Sequence, residues 1–326
     1  MVGDVRAGEA VKAGEAVEEA VLDDLRHERK PLTLFMLGDV DAGKTHTVTA
    51  LANRFHGHGL TVAVVDADIG QSDIGPPCCV GLGILSRRIK QLSEVPLHSL
   101  YFVGNTSPNG YMRECVSGTV MAVQKAKELG ADVILVDSTG WIAGEDARQF
   151  KLFEQEAIDP SLVVAIENEN ELELILEDLE RRVIRLPKAP EARERTREER
   201  RALREAAYEH YFRAARDIAF ELPLLTEPAE EGTLVGLSVN ASDNSGRDDA
   251  EIRGLGIVIN LDHECERMTV FTPLDTRACA ALRCIRPGGI KLITVKGRLR
   301  EFKSPRYHPH EISKQSKPQS AENADE

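Results

Sequence analysis

Gly38-Asp39-Val40-Asp41-Ala42-Gly43-Lys44-Thr45 fits the spacing G-x-x-x-x-G-K-[ST]. An apolar run, Leu32 to Leu37, precedes it, and a helical pattern from Lys44 to about Phe55 follows it. In that context the loop's backbone N–H groups and the helix N-terminus cradle phosphate oxygens. Lys44 then reaches the β- and γ-phosphates as a point charge, and Thr45 offers its hydroxyl to Mg²⁺. The ordinary alternative, a glycine-rich turn with an exposed lysine, does not explain why strand, loop and helix coincide. Nucleoside triphosphate binding is the first expectation.

Carboxylates follow at the ends of two further apolar runs. Thr61 to Val65 leads into Asp66-Ala67-Asp68-Ile69-Gly70-Gln71-Ser72-Asp73, and Val133 to Val136 leads into Asp137-Ser138-Thr139-Gly140-Trp141. In a parallel sheet the carboxyl ends of strands meet at the ligand crevice. Asp66 and Asp68 are therefore expected near the γ-phosphate. One would order a Mg²⁺-bound water and the other would accept a proton from an attacking hydroxyl. Asp137 stands where a second metal-orienting carboxylate is expected. The plain alternative is a loop of acidic turn residues.

Trp141, the only tryptophan, follows a glycine at a strand's carboxyl end. An indole there stacks on a base, worth about 1–3 kcal/mol in single-stranded nucleic-acid sites, or else fills a hinge. Residues 181–216 carry twelve basic and six acidic side chains, against a net charge of −13 for the whole chain. Such a run is usually a solvated helix with i,i+4 pairs. Its functional reading is a lid that brings arginines onto phosphate and excludes water.

These groups need elements to hold them. Further short apolar runs lie at Tyr101 to Val103 and Leu162 to Ile166, and a helical stretch runs from Val116 to Leu129. Strands alternating with helices predict an α/β, mainly parallel sheet with helices on both faces. Composition shifts after Leu186-Pro187. From Gly232 on, Leu234 to Val239, Gly254 to Asn260, Met268 to Phe271 and Ile290 to Val295 read as strands joined by turns. The expected division is an acidic N-terminal extension (1–30) containing a short helix, a phosphate-loop domain (31–225) with its lid at about 188–216, a small β-rich domain (232–305) and a disordered tail (307–326). Lys291, Lys296, Arg298, Arg300 and Lys303 give the β-rich part a basic end, read as a solvated edge strand.

The chain has 326 residues, 42% of them hydrophobic and 29% charged, which excludes whole-chain disorder. No apolar run approaches the length of a membrane span, and the acidic start is no secretory signal. The six cysteines form no C-x-x-C pair, so structural zinc is not expected and the thiols point to a reducing cytoplasm. An acidic total argues against a protein that coats nucleic acid, but a short single-stranded end needs only a few phosphate contacts.

Five blocks together resemble the polynucleotide 5′-hydroxyl kinase family: GDVDAGKT (38–45), DADIGQSDIGPP (66–77), YFVGNTSPNG (101–110), VDSTGW (136–141) and ERTREERR (194–201) with Tyr211-Phe212. The resemblance spans about residues 30–300 and is strongest to archaeal-type polyribonucleotide kinases. It implies a P-loop NTPase fold with a helical, arginine-rich lid, and Mg²⁺-dependent transfer from ATP to the 5′-hydroxyl of RNA, with DNA as a further acceptor. It implies that residues 38–46, from Gly38 through Asp39, Val40, Asp41, Ala42, Gly43, Lys44 and Thr45 to His46, cradle ATP. Asp68 is the implied general base. Thr45, Asp66, Asp68 and Asp137 are the implied metal groups. Gln71, Thr106, Ser107, Pro108 and Trp141 are implied to bind the acceptor, and Arg195 and Arg200 to contact the triphosphate beside Lys44. Departures are Ala42, where relatives carry serine or valine, His46 in place of a hydroxyl, and Cys78-Cys79 in place of a threonine pair.

Three rival readings differ in testable ways. A nucleotide-binding RNA-processing scaffold would transfer nothing and would hold a protein partner that the sequence does not name. A guanine-nucleotide switch needs N-K-x-D, which is absent. A small-molecule kinase would phosphorylate nucleosides rather than oligonucleotides.

Overall fold

A computed structural model describes residues 2–27, 31–188, 193–240 and 251–303, with side chains from residue 14 onward. The expected disordered tail lies outside the described residues. The elements run in the order α1 (Val2–His27), β1 (Leu32–Gly38), α2 (Lys44–Gly57), β2 (Val62–Asp66), β3 (Cys79–Ile84), β4 (Leu97–Phe102), α3 (Met112–Glu128), β5 (Val133–Asp137), α4 (Glu145–Ile158), β6 (Leu162–Ile166), α5 (Glu173–Leu176) and β7 (Val183–Leu186). They continue with α6 (Arg197–Tyr211), β8 (Arg216–Glu221), β9 (Thr233–Ser238), β10 (Glu251–Ile252), β11 (Gly254–Asp262), β12 (Arg267–Thr272), α7 (Thr276–Ala280), β13 (Cys284–Val295) and β14 (Arg298–Lys303).

The first sheet has the order β10-β4-β3-β2-β5-β1-β6-β7. Its half from β2 to β7 is parallel. Strands β1, β2, β5 and β6 are buried at every position, as two covered faces demand. Phe35 and Leu37 pack in one core with side chains of α3 and α4, whereas Leu34 and Met36 pack in the other with α1 and α2. The arm β3, β4, β10 is antiparallel. The run expected at Tyr101 to Val103 overlaps β4, but β3 and the antiparallel pairing were not expected, because β3 (Cys-Val-Gly-Leu-Gly-Ile) has glycines at alternate positions that lower its strand propensity.

The extension expected to hold a short helix forms the 26-residue α1. Val17 and Val21 are buried, and Glu18 pairs with Arg54 and His58 of the α2 region.

The second sheet is antiparallel, in the order β14-β13-β9-β11-β12-β8. One face shares a core with Cys78, Cys79, Phe102, Tyr208 and Phe212, and the other covers Phe220, Val235, Leu237 and Val258. Two strands cross the sequence-based division. β8 precedes residue 225 yet pairs with β12 in the second sheet. β10 follows residue 232 yet closes the edge of the first. The basic end falls on β13 and β14, with β14 at the sheet's edge.

Candidate active site

The phosphate loop joins β1 to α2, and its shape follows from two glycines. Gly43, at the N-terminus of α2, has φ +96°, a left-handed conformation that side chains disfavour. Gly140 lies against the loop itself: a Cβ there would stand 2.5 Å from the Val40 nitrogen. The T-G-W glycine therefore lets the phosphate loop approach the end of β5. Lys44 is nearly buried, and its Nζ donates to the carbonyls of Gly38 (3.1 Å) and Asp39 (2.8 Å). Burial lowers its pKa, opposed by the charges of Asp137 and Asp68. His46 is exposed at the rim.

Adjacent strand ends bring the carboxylates together, since Asp66 of β2 stands in register with Asp137 of β5. Thr45 Oγ1 donates to Asp137 Oδ2 at 2.7 Å. The other oxygen, Oδ1, is buried without a hydrogen-bond partner among the described residues. Burial pushes the Asp137 pKa up to about 7, against the pull of Lys44 and Thr45. Thr45 and Asp137 thus present a hydroxyl and a free carboxylate oxygen, hard donors of the kind Mg²⁺ takes. Among the described residues no three His, Cys, Asp or Glu side chains gather into a metal-holding group.

Asp66 departs from the metal-orienting expectation. It is buried, and its oxygens accept from the backbone N–H groups of Asp68 (3.1 Å), Asp73 (2.6 Å) and Ile74 (2.8 Å) and from Ser72 Oγ (3.2 Å). Burial and the neighbouring Asp137 push its pKa well up. It lines neither cavity described below. Its carboxylate shapes the loop that carries Asp68.

Asp68 is half-buried. Its Oδ1 accepts from the N–H groups of Gly70 and Gln71, both at 3.1 Å. Oδ2 has no hydrogen-bond partner among the described residues. Two cavities meet here. One, of about 830 Å³, is lined by the phosphate loop, Asp68, Gln71, Asp73, Lys90-Gln91-Leu92 and the lid residues Arg193, Arg195 and Glu199. The other, of about 330 Å³, is lined by Thr106, Ser107, Pro108, Thr139 to Ala143, Arg200 and Arg204. Val40, Asp68 and Gln71 line both. Trp141 is half-buried in the second cavity, its ring 5.8 Å from that of Phe150.

The lid helix α6 starts at a capping box. Thr196 Oγ1 accepts from the Glu199 N–H, and the Glu199 carboxylate accepts from the Thr196 N–H. The signal Thr-x-x-Glu stands in the sequence. The arginines of the lid then divide. Arg195 and Arg200 pair with Asp41 of the phosphate loop. Arg204 makes a two-pronged pair with Glu301 of β14 (2.7 and 3.0 Å), and Arg201 and Arg300 both pair with Glu205. Tyr208, fully buried on the same helix, shares a hydrogen bond with Cys78 Sγ at 3.0 Å. The far half of the lid is thus fastened to the second sheet.

Several residues at the site had no role in the sequence reading. Asp73, within the D-x-D block, lines the first cavity with its pKa raised by burial and by Asp68. Lys90 to Leu92 join it from the connection after β3, where no local pattern marks them. Lys151 of α4 is fully buried. It donates to Ser138 Oγ (3.1 Å) and Glu154 (2.9 Å) and lies 5.1 Å from the Phe150 ring centroid. Ser138 in turn donates to the Met36 carbonyl, so this cation braces the end of β5.

Similarity to known proteins agrees with this geometry. The polyribonucleotide 5′-hydroxyl-kinases of Pyrococcus abyssi and Methanocaldococcus jannaschii are each 37% identical over 194 residues, covering 60% and 59% of this chain and 54% and 53% of theirs. That of Thermococcus kodakarensis is 33% identical over 228 residues, 69% of this chain and 63% of its own. The chain spans about half the length of the first two. A solved Clp1p–Pcf11p complex contains a chain of the same fold, with TM-score 0.69 at 12% identity over 86% of this chain and 80% of the other. Residues 38–214, which hold the phosphate loop, both carboxylate strand ends and the lid, match the family described as mRNA cleavage and polyadenylation factor CLP1 P-loop, and the chain belongs to that family.

Proposed function

We propose that this protein transfers the γ-phosphate of ATP to the 5′-hydroxyl of an RNA end. The observation that carries the reading is Asp68, whose carboxylate lines both the phosphate-loop cavity and the Trp141 cavity. A group at that junction faces donor and acceptor together. The names of the archaeal relatives support the same chemistry.

In this reading the triphosphate lies along residues 38–46, with Lys44, Arg195 and Arg200 taking the charge that develops on the transferring group. Thr45 and Asp137 would hold Mg²⁺, which when bound neutralises charge on the β- and γ-phosphates. Trp141 stacks on the terminal base while Gln71 and the Thr106-Ser107-Pro108 turn shape its pocket. Asp68 accepts the proton of the 5′-hydroxyl as its oxygen bonds to the γ-phosphorus. The bond from that phosphorus to the β,γ-bridging oxygen breaks, and ADP leaves. Holding the two reactants in line supplies most of the acceleration. The acceptor is single-stranded RNA, with DNA a further candidate. The reading includes residence in the reducing cytoplasm, supported by six cysteines that form no disulfide among the described residues.

The test uses ATP labelled at the γ-phosphate, Mg²⁺ and two short RNAs that differ only in a 5′-hydroxyl or 5′-phosphate. Label on the hydroxyl-ended RNA alone is the expected result. ATP binding with label on neither overturns the kinase reading in favour of a nucleotide-binding scaffold.

A further inference from the structure

Asp41 poses a problem of charge. It lies in the phosphate loop and lines the same cavity as Lys44 and Thr45, where a carboxylate repels the phosphates that the loop attracts. Its side chain is only 9% exposed, and its φ of +58° is in the left-handed region. The oxygens meet lid groups. Oδ2 accepts from the Arg195 backbone N–H at 2.7 Å and from Arg200 Nη1 at 3.0 Å, and Oδ1 stands 3.5 Å from Arg195 Nη1.

The partners are selective. Of the arginines on this stretch, Arg193 pairs within the lid with Glu199, and Arg201 and Arg204 pair with Glu205 and Glu301. Only the two that the transfer reading assigns to the triphosphate meet Asp41 among the described residues. One carboxylate therefore sets the position of both.

We propose that Asp41 is a positioning residue that holds Arg195 and Arg200 over the phosphate loop and yields their guanidinium groups to phosphate oxygens when ATP binds. The inference rests on the transfer reading above. The exchange is cheap in principle, because each guanidinium trades one anionic oxygen for another and is never left unpaired. A carboxylate that competes with substrate also has a kinetic signature. Removing it should tighten ATP binding while leaving the arginines badly placed in the transition state.

The test is Asp41→Asn, because Asn tolerates the left-handed backbone and keeps the size of the side chain. Without nucleotide, trypsin should cut after Arg193 or Arg197 roughly fivefold faster than in the unsubstituted protein. In steady-state transfer, KM for ATP should fall about threefold and kcat about tenfold. A lesion that merely loosened the loop would raise KM. Arg200→Ala should also speed cutting, and the double variant should be cut more slowly than the product of the two single effects. Unchanged cutting in Asp41→Asn, a higher KM for ATP, or multiplicative effects in the double variant would overturn the proposal. If the unsubstituted protein binds ATP but transfers nothing, the transfer reading fails and the cutting rates alone judge Asp41.

Discussion

Thr45 Oγ1 donates to Asp137 Oδ2 across 2.7 Å, tying the first turn of α2 to the carboxyl end of β5. The bond fixes one carboxylate oxygen and leaves Oδ1 buried and unpartnered among the described residues. Burial also makes Asp137 a reporter of pH. Its folded pKa is raised from 3.8 to about 7 by burial. A carboxylate raised in this way binds its proton more tightly when folded. Its contribution to stability is full below about pH 4 and is lost as pH rises through 7. Urea unfolding without Mg²⁺ or nucleotide should therefore show Asp137→Asn gaining stability relative to the parent between pH 4 and 7. A difference that stays flat across that range would contradict the assignment.

Asp68→Asn keeps the Oδ1 contacts to the Gly70 and Gln71 N–H groups but loses the proposed base. Transfer to a 5′-hydroxyl RNA should drop by roughly 100- to 10,000-fold, as for loss of a general base. Titration with ATP should give an affinity within about threefold of the parent. A comparable loss of ATP affinity would move Asp68 from proton acceptor to nucleotide ligand.

Trp141→Ala removes the indole from the second cavity, the proposed acceptor site, without touching the phosphate loop's own bonds. KM for oligonucleotide should rise about 5- to 100-fold, the equivalent of one stacked base, with ATP binding retained. The reverse pattern, weaker ATP and unchanged oligonucleotide KM, would place the ring on the nucleotide side.

Lys151→Ala leaves Glu154 buried without its cation in the core formed by α4 and β5. Breaking a buried pair this way costs about 3–5 kcal/mol. Denaturant unfolding should register the loss. Lys151→Met, which fills the volume, is expected to be no better unless Glu154 is replaced by Leu as well, because the stranded carboxylate rather than the missing stem carries the penalty.

The parallel half of the first sheet was legible because Leu34 to Leu37, Val133 to Val136 and Leu162 to Ile166 are uninterrupted apolar runs of the kind a doubly covered sheet needs. Of the antiparallel arm only the Tyr101 to Val103 run was legible; β3 and β10 draw their stability from pairing rather than from local pattern. At the site, Lys44, Thr45, Asp68 and Trp141 announce themselves by spacing from strand ends. Asp66 has the same spacing signal as Asp68, yet the loop's backbone N–H groups claim it, and nothing in a linear pattern separates the two. The tie of Asp41 to the lid and the role of Lys151 were invisible for a related reason: the partners, Arg195, Arg200 and Ser138, are brought close only by the fold.

The fastening of α6 to β14 has a consequence for inheritance. Glu205 and Glu301 are each buried amid arginines from the other element, and β10 carries the return chain into the first sheet before β11 resumes the second. A second sheet lacking the counterparts of Arg300 and Glu301 would strand Glu205 and Arg204 on the lid helix and disturb the core around Tyr208. The lid helix and the second sheet must diverge as matched halves of one unit, even though the family match itself ends at residue 214.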